Sequence, residues 1–533
     1  MRILARTEFS QLCTGYATYI KALLERLHAD GHTVAELASG IGSNFPTLGL
    51  CKWKIYPNIA DPNNPAAQDA YNSRPSAEFG SWQFENVLLD FKPDLVVDVS
   101  DVWHYEYQLR SPLRDYYAHI AMVPVDAEPQ NRHWLDIYNK SDAIIGYTKF
   151  GLDLIKAGGC KNTYGVAMPW AHPAYRPLGD KKELQKQLGL GDIKIVGSVG
   201  RNQRRKLFIN VFQSFAEFLQ RSGRNDVYLY LHSSFPDRGY EFDRETVKYG
   251  IQNKVLYSYI CQNCRQLECS LFKGALCVCN QCGQRQQVIS NVQVGLSFEQ
   301  MAFVYNLFDC YVQISTNEGF CLPVMEAAAC GIPCYATDYS SLSEVIRLVD
   351  GTPIPPLAMT QEIETGRQFA VADNEKLTQH LLSFFALPSA IMKLKGRAAR
   401  LAYERNWDVN QIMSVWENAI QSVSAKRKWD APLREFQARR PPDGLTNSQF
   451  ARWLIMHVIC VPDLAGSLME TRLISDLDNG FTSGGCEGAY YHQSVSSNSS
   501  SKYQKFDKDA ALGHFAILLD NRNYWERIRA SSC

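Results

Sequence analysis

The segment NEGFCLPVMEAAACGIP, Asn317 to Pro333, decides the fold. It follows LFDCYVQIS, an apolar run typical of a buried strand, and places Pro323 where the first turn of a helix tolerates proline. Good helix formers from Met325 to Ala329 continue the helix, and Gly331 ends it. The segment therefore predicts a strand, a loop and a helix that begins at the carboxyl edge of a parallel sheet.

A helix that begins there directs its first backbone amides away from the sheet, which suits a diphosphate ligand. Glu318 and Glu326 are eight positions apart, so both carboxylates can face that ligand and accept sugar or ribose hydroxyls. The two glutamates alone do not establish a ligand site. Glu318 could equally be solvated, and Glu326 could serve only to complement the helix dipole. The predicted ligand-facing amides belong to Gly319, Phe320, Cys321 and Leu322.

A second segment favours the phosphate site. The strand IKIVGSVG runs directly into RNQRRKLF, which places Arg201 just after Gly200 and Lys206 five residues later. Two cations fixed at the carboxyl end of a strand can neutralise a leaving diphosphate. A basic run alone is more often a solvated face, but a helix N-terminus in the same half of the chain makes phosphate binding the better interpretation.

The rest of the chain alternates apolar strand patterns with helical ones, which indicates an α/β protein with parallel sheets. Its 533 residues exceed the roughly 250–300 that one core supports, so at least two domains are expected. The proline-rich stretch PWAHPAYRP marks the linker. We predict a first Rossmann-like domain at 1–170, a second at 178–407, a helix at 408–424 that closes the second, and a partly flexible extension at 425–533.

Six of the sixteen cysteines fall between Cys261 and Cys282. The pattern CQNC, fourteen intervening residues, then CNQC is a strong signal for a zinc ribbon, which we place at 261–290 within the second domain. Cys269 and Cys277 are the alternates if the pairing differs. Four thiolates leave no open position for water, so the zinc is expected to be structural, no catalytic metal is expected, and we expect the ribbon to support the acceptor side. The predicted ligands are Cys261, Cys264, Cys279 and Cys282.

Together, SVGRNQRRK, EGFCLPVMEAAACGIP and the loop TGYATY resemble motifs of the large retaining GT-B glycosyltransferase family, the family 4-like "glycosyl transferases group 1", over roughly residues 1 to 424. The resemblance implies two Rossmann-like domains facing a cleft, with a nucleotide sugar as donor. It implies that Arg201 and Lys206 grip the diphosphate, that Glu326 holds the ribose and that Glu318 contacts the sugar. Gly15 would let the first-domain loop approach the phosphates. The combination with a zinc ribbon also resembles viral and phage members.

One position departs from that family. A histidine often follows the fourth or fifth strand of the first domain there, whereas HIAMVPVDAEP offers Asp126 and Glu128. We predict that Asp126 reaches the donor sugar, and helix capping is its alternative role. Similar retaining enzymes use one face of the sugar, with the leaving phosphate oxygen taking the acceptor proton, so catalysis is expected to be electrostatic and positional. The predicted catalytic residues are Glu318, Asp126 and Arg201.

The acceptor stays open between a glycan, a lipid, a small molecule and a hydroxymethylated DNA base. The basic residues Lys426 to Lys428, Arg439 and Arg440 would suit phosphates, but the zero net charge argues against a general nucleic-acid binder. No run approaches the ~18 apolar residues of a membrane span, and no signal peptide is evident, so a cytoplasmic location is expected, in the host cytoplasm for a viral protein.

Other classes of protein remain as alternatives. One is a zinc-ribbon nucleic-acid-binding protein with an inactive transferase fold, which would have lost the diphosphate ligands. A Rossmann dehydrogenase is disfavoured because QLCTGYATY lacks G-x-G-x-x-G. A phosphorolytic enzyme of the same architecture is disfavoured because no pyridoxal-binding lysine motif is evident.

Overall fold

The computed structural model describes residues 1–423 except 13, 47, 112, 236, 292 and 364, and beyond them only 426, 429, 446–454, 474, 481–482 and 504–505. The predicted extension at 425–533 therefore lies almost entirely outside the described residues. Within the described part, no helix combines the length and apolar character needed to cross a membrane.

The first domain is built on a seven-stranded parallel sheet in the order β3-β2-β1-β4-β5-β6-β7. Every residue of β4 and β5 is buried, which explains why these strands read as continuous apolar runs rather than as alternating ones. The strands are β1 (Arg2–Glu8), β2 (Thr33–Gly42), β3 (Lys54–Ile59), β4 (Leu95–Val99), β5 (Ala118–Val123), β6 (Ala143–Gly146) and β7 (Thr163–Val166).

Helices cover the two faces of this sheet. The first begins where the Thr14 hydroxyl accepts a hydrogen bond from the Ala17 amide, and its buried side chains recur three and four positions apart, on one face of the helix. The helices are α1 (Gly15–Ala29), α2 (Pro65–Ser73), α3 (Phe84–Phe91), α4 (Glu106–Leu109), α5 (Arg132–Tyr138) and α6 (Lys149–Ala157).

The second domain contains a nine-stranded sheet in the order β12-β13-β10-β9-β8-β14-β15-β16, with β11 also paired to β10. Its central strands are parallel, as the sequence predicts. A separate hairpin, β17 and β18, follows the sheet. The strands are β8 (Lys194–Val199), β9 (Val227–His232), β10 (Val255–Cys261), β11 (Leu267–Ser270), β12 (Leu276–Cys277), β13 (Gln287–Ile289), β14 (Cys310–Gln313), β15 (Cys334–Thr337), β16 (Thr352–Ile354), β17 (Ala358–Gln361) and β18 (Gln368–Val371).

The remaining helices begin after the proline-rich linker. The helix predicted from EGFCLPVMEAAACGIP forms as α11, with Pro323 in its first turn. The helices are α7 (Lys181–Gln187), α8 (Phe208–Ser222), α9 (Phe242–Lys248), α10 (Phe298–Tyr305), α11 (Leu322–Ala329), α12 (Ser340–Leu348), α13 (Asn374–Phe385), α14 (Ser389–Asn406) and α15 (Val409–Ser422), with α16 (Asn447–Leu454) beyond the gap.

The closing helix α15 packs on the first domain. It lies against β6 and β7, and the indole of Trp416 donates a hydrogen bond to the Tyr19 hydroxyl at 2.8 Å. The sequence predicts an apolar helix here but assigns it to the second domain, because periodicity shows that a face is buried without showing what covers it. The chain therefore crosses between the domains twice.

Strand β10 joins the ribbon to the main sheet. Its first half pairs in parallel with β9, and its second half pairs antiparallel with β11 and β13. The same strand ends in Cys261, the first predicted zinc ligand. The ribbon is therefore continuous with the edge of the sheet.

Candidate functional site

A cleft of about 850 Å³ lies where the carboxyl ends of the two sheets face each other. Both domains line it, and every residue predicted to bind the donor or to act in catalysis is in its wall. The structure thus brings the predicted set together, while the role of each residue stays a prediction. The lining residues from that set are Gly15, Asp126, Arg201, Lys206, Glu318, Gly319, Phe320, Cys321, Leu322 and Glu326.

The two domains touch at the floor of the cleft. A Cβ atom added to Gly319 would lie 2.8 Å from Cβ of Pro124 and 2.9 Å from its carbonyl oxygen, so only glycine fits there. A Cβ atom added to Gly15 would meet Leu322 at 3.4 Å, an ordinary contact distance. Gly319 is therefore the more tightly enclosed of the two glycines, and the approach of the Gly15 loop to donor phosphates stays a prediction.

A polar contact beside the floor also joins the domains. The Thr148 and Ser341 hydroxyls are 2.7 Å apart, and the Ser341 hydroxyl donates to the Val125 carbonyl at 2.9 Å. The Glu344 carboxylate accepts hydrogen bonds from the first amides of α6, which include that of Lys149 at 3.0 Å. A carboxylate at a helix N-terminus is favourable, so these contacts stabilise the observed arrangement of the domains.

Glu318 lies at the centre of a charged cluster in the second domain. Its carboxylate pairs with Lys206 and with Arg205, the latter at 2.8 Å, and accepts the Ser315 hydroxyl at 2.7 Å. Burial by itself would raise the pKa of Glu318, but the charges of Arg205 and Lys206 outweigh it and lower the pKa to about 2. Glu318 is therefore ionised and paired with two cations.

Arg205 is the cluster member that sequence reasoning missed. Arg201 and Lys206 were predicted to face the ligand, yet the 3₁₀ turn Arg204–Lys206 presents Arg205 to Glu318 as well. Arg201 instead pairs with Asp237 at 3.2 Å. The run RNQRRK signals several cations without showing which of them the turn directs inward.

The N-terminus of α11 faces the cleft beside this cluster. The Glu318 amide donates to the Ser340 hydroxyl at 3.0 Å, and Cys321 adopts a left-handed backbone conformation with φ of 82°. Among the described residues, no protein acceptor takes a hydrogen bond from the amides of Gly319, Phe320 or Cys321. Amides of this kind at a helix N-terminus are suited to an anion.

Glu326 lies one turn into α11, and its environment differs from that of Glu318. It accepts the Tyr305 hydroxyl at 2.7 Å, with Tyr175 as a second donor, and has no cation partner among the described residues. Burial therefore raises the pKa of Glu326 to about 7, although the two tyrosines partly oppose the shift. This carboxylate is suited to accepting hydroxyl groups from a ligand.

Asp126 reaches the cleft from the loop after β5. Its carboxylate accepts a hydrogen bond at 2.6 Å from the side-chain amide of Asn317, the residue before Glu318, and pairs with Arg367 at 3.0 Å. Burial raises the pKa of Asp126, and the charge of Arg367 opposes that shift. The next helix, α5, is capped by Asn131, so Asp126 does not cap that helix.

Arg367 is a second residue that sequence reasoning missed. It lies just before β18, and no motif surrounds it, so nothing in the local sequence points to a cleft residue. Its guanidinium pairs with both Asp126 and Glu362. The hairpin of β17 and β18 thus extends the cleft wall toward the first domain.

Asp101, after β4, is a further acidic group of the cleft that the sequence did not single out. Burial and the nearby charge of Asp126 raise the pKa of Asp101 to about 7, although a hydrogen bond from Tyr16 lowers it in part. Two histidines of the cleft stay neutral at pH 7, since burial lowers the pKa of His104 to about 3 and that of His232 to about 4. Carboxyl groups are therefore the cleft groups with a pKa shifted to near neutrality.

A recess of about 470 Å³ opens from the cleft, and residues of both domains line it. Its wall includes Glu8, Glu78, and the Phe79 ring stacked on His104 with centroids 3.7 Å apart. The recess shares Glu8, His104 and Arg201 with the cleft, so the two spaces adjoin.

The four predicted zinc ligands converge in the ribbon, with all four sulfur atoms within 4.8 Å of one another. The Cys261 and Cys282 sulfurs are 3.6 Å apart and those of Cys264 and Cys279 are 3.7 Å apart, far beyond a disulfide bond. A tetrahedron with Zn–S bonds of ~2.3 Å has edges of about 3.8 Å, so the spacing fits a single zinc ion. The alternates, at positions 269 and 277, are not part of this group.

The basic residues considered for DNA phosphates are mostly beyond the described part of the chain. Lys426 is described, and its ammonium pairs with the Asp142 carboxylate at 2.7 Å. The Lys426 charge is therefore neutralised by an ion pair within the protein. The other members of the set lie outside the described residues: Arg427, Lys428, Arg439 and Arg440.

Residues 281–377, in the second domain, match the family model "Glycosyl transferases group 1". This stretch includes Glu318, Glu326 and the whole of α11. A comparison with curated proteins found no match.

Solved structures share the two-domain architecture. HepE from Anabaena, in complex with UDP and glucose, aligns with a TM-score of 0.55 at 14% identity, over 79% of this chain and 100% of HepE. Sucrose-phosphate synthase from Thermosynechococcus elongatus aligns at 0.56 and 17% identity, over 80% and 100%. WaaG, a glycosyltransferase involved in lipopolysaccharide biosynthesis, aligns at 0.52 and 12% identity, over 79% and 98%. The chain therefore has the GT-B fold, and its second domain carries a segment that matches the group 1 glycosyl transferases.

Proposed function

We propose that the protein is a retaining glycosyltransferase that moves a sugar from a nucleotide-sugar donor to an acceptor hydroxyl. One observation carries the proposal: Glu318, Arg205 and Lys206 cluster at the N-terminus of α11, inside a cleft that both domains line. The family match over 281–377 and the UDP complex of HepE support the same reaction class.

The cluster suits a donor diphosphate. Arg205, Lys206 and the amides at the start of α11 would hold its oxygens, and a diphosphate competes with Glu318 for both cations. Binding would then free Glu318 for the hydroxyls of the sugar. Glu326, one turn further along α11, would accept the ribose hydroxyls.

The state of the carboxylates supports retention. In the free protein, Arg205 and Lys206 outweigh burial and lower the pKa of Glu318 to about 2. In the donor complex the Glu318 carboxylate would accept the sugar hydroxyls, which leaves it unavailable as a base for the acceptor. We infer that the leaving phosphate oxygen takes the acceptor proton, while Arg205 and Lys206 stabilise the charge that develops on it. Asp126, oriented by Arg367, would position the sugar.

The acceptor would enter through the recess that adjoins the cleft, and its class stays open among a glycan, a lipid, a small molecule and a hydroxymethylated DNA base. Zinc, held by the four ribbon cysteines, would act structurally, because four thiolates leave no position for a reacting water. The reaction itself would need no metal.

The test is a mass-spectrometric screen of nucleotide sugars, beginning with UDP-glucose, against simple glycans and hydroxymethylated DNA as acceptors. Arg205→Ala should lose donor turnover, whereas Arg204→Ala, an exposed neighbour in the same turn, should keep it. The anomeric configuration of the product, measured by NMR, tests retention. An inverted product would instead assign Asp101 as a general base, and DNA binding without any donor turnover would favour the inactive-transferase alternative.

A further inference from the structure

A wall of the cleft connects the ribbon to α10. This ribbon-side wall, residues 295–301, runs from the loop after β13 into the first turn of α10. It lines the same cleft as Lys206 and Glu318, and the helix that it begins carries Tyr305, whose hydroxyl donates to Glu326. Its cleft-lining members are Gly295, Leu296, Ser297, Phe298, Glu299 and Met301.

Arg265 of the first ribbon knuckle holds both ends of this wall. Its guanidinium donates to the Gly295 carbonyl at 2.5 Å, and its own carbonyl accepts the Gln300 side chain at 2.9 Å. Gln300 also forms the capping box with Ser297 that starts α10. One residue thus links the knuckle to the beginning and to the helical end of the wall.

The knuckle in turn fixes Arg265. Its amide donates to the Cys261 carbonyl at 3.0 Å, and it follows Cys264, whose sulfur faces Cys279. Arg265 has a left-handed backbone with φ of 58°, which is unfavourable for a residue other than glycine and persists only where its surroundings hold it. A metal ion on the four sulfurs would supply that restraint.

We propose that Arg265 is a positioning residue through which metal binding in the ribbon sets the affinity of the cleft for the donor. The inference rests on the proposed donor site. It differs from the expectation from sequence, in which the ribbon supports the acceptor side. The wall, rather than any contact of the metal with substrate, carries the effect.

The experiment compares full-length Arg265→Ala, Arg265→Lys and, as the matched control, Arg285→Ala, an exposed arginine of the same ribbon. Zinc content, UDP-glucose affinity and steady-state kinetics are measured for each. Arg265→Ala should keep its zinc, bind UDP-glucose about tenfold more weakly, and raise KM with kcat little changed. The variant loses the charge-assisted hydrogen bond from Arg265 to the Gly295 carbonyl, which leaves the wall less fixed before the donor binds. Arg265→Lys should recover part of the loss, and Arg285→Ala should match the wild type.

Hydrogen–deuterium exchange of the wall peptide gives a readout that needs no donor. Exchange across 295–301 should rise in Arg265→Ala and in wild-type protein stripped of zinc. Unchanged exchange in both would overturn the inference, as would unchanged UDP-glucose affinity in Arg265→Ala. Failure of the wild type to bind any nucleotide sugar would instead count against the proposed function, leaving the exchange measurement to decide the coupling.

Discussion

Glu326 should make donor binding depend on pH. Burial raises the pKa of Glu326 from 4.5 to about 7, and no cation among the described residues compensates for it. A ligand whose hydroxyls donate to the ionised carboxylate must displace its proton below pH 7. Donor affinity should therefore increase as pH rises toward 7 and then level off.

The size of the effect follows from linkage. If bound hydroxyls return the pKa to its ordinary value, the shift corresponds to about 3 kcal/mol, and affinity should rise about 30-fold between pH 5.5 and 8. If the pKa of Glu326 returns only part of the way, the gain in donor affinity is smaller. Donor affinity can only rise with pH over this range, because Glu326 must lose its proton to accept the donor hydroxyls and loses it more readily at higher pH.

The assay is calorimetric titration of UDP-glucose at pH 5.5, 6, 7 and 8, with Glu326→Gln as the comparison. The diphosphate of the donor stays ionised over this range, and His104 and His232 stay neutral because burial lowers the pKa of each, to about 3 and about 4. Asp101, whose pKa burial raises to about 7, titrates in both proteins, so the difference between the two profiles isolates Glu326. Parallel profiles would refute the reasoning.

Three further predictions concern the cluster and the domain contact. Lys206→Ala should abolish donor turnover and lower the free energy of unfolding by about 3 kcal/mol, since Glu318 stays buried with one cation fewer; unchanged stability in chemical denaturation would contradict this. The pKa of Glu318 is about 2 in the folded protein and 4.5 in its ordinary state, so the ionised group stabilises the fold by about 3 kcal/mol above pH 4.5. Acid denaturation should show that this stabilisation is lost as pH falls toward 2, and that Glu318→Gln shows no such loss. Gly319→Ala should push against Pro124 and reduce kcat/KM strongly, whereas Gly15→Ala should have a smaller effect in the same kinetic assay.

The sequence predicted the features that neighbouring residues determine. Apolar runs of strand length indicated the parallel sheets, Pro323 and Gly331 marked the limits of α11, and the two C-x-x-C pairs identified the four sulfurs that converge in the ribbon. These features depend on backbone periodicity, helix termini and short spacings, all of which are local in the chain. Strands β3 and β7 are only partly buried, so no continuous apolar run indicates them in the sequence.

The tertiary structure alone decided which groups meet. Glu318 pairs with Arg205 across 113 positions, and Asp126 pairs with Arg367 across 241. The sequence showed a basic run and an acidic loop, but the 3₁₀ turn and the hairpin select the members that face inward. The partner of α15 and the contact of Arg265 with the wall have the same origin. Contacts between distant segments depend on how whole elements pack, and a local pattern carries no information about that packing.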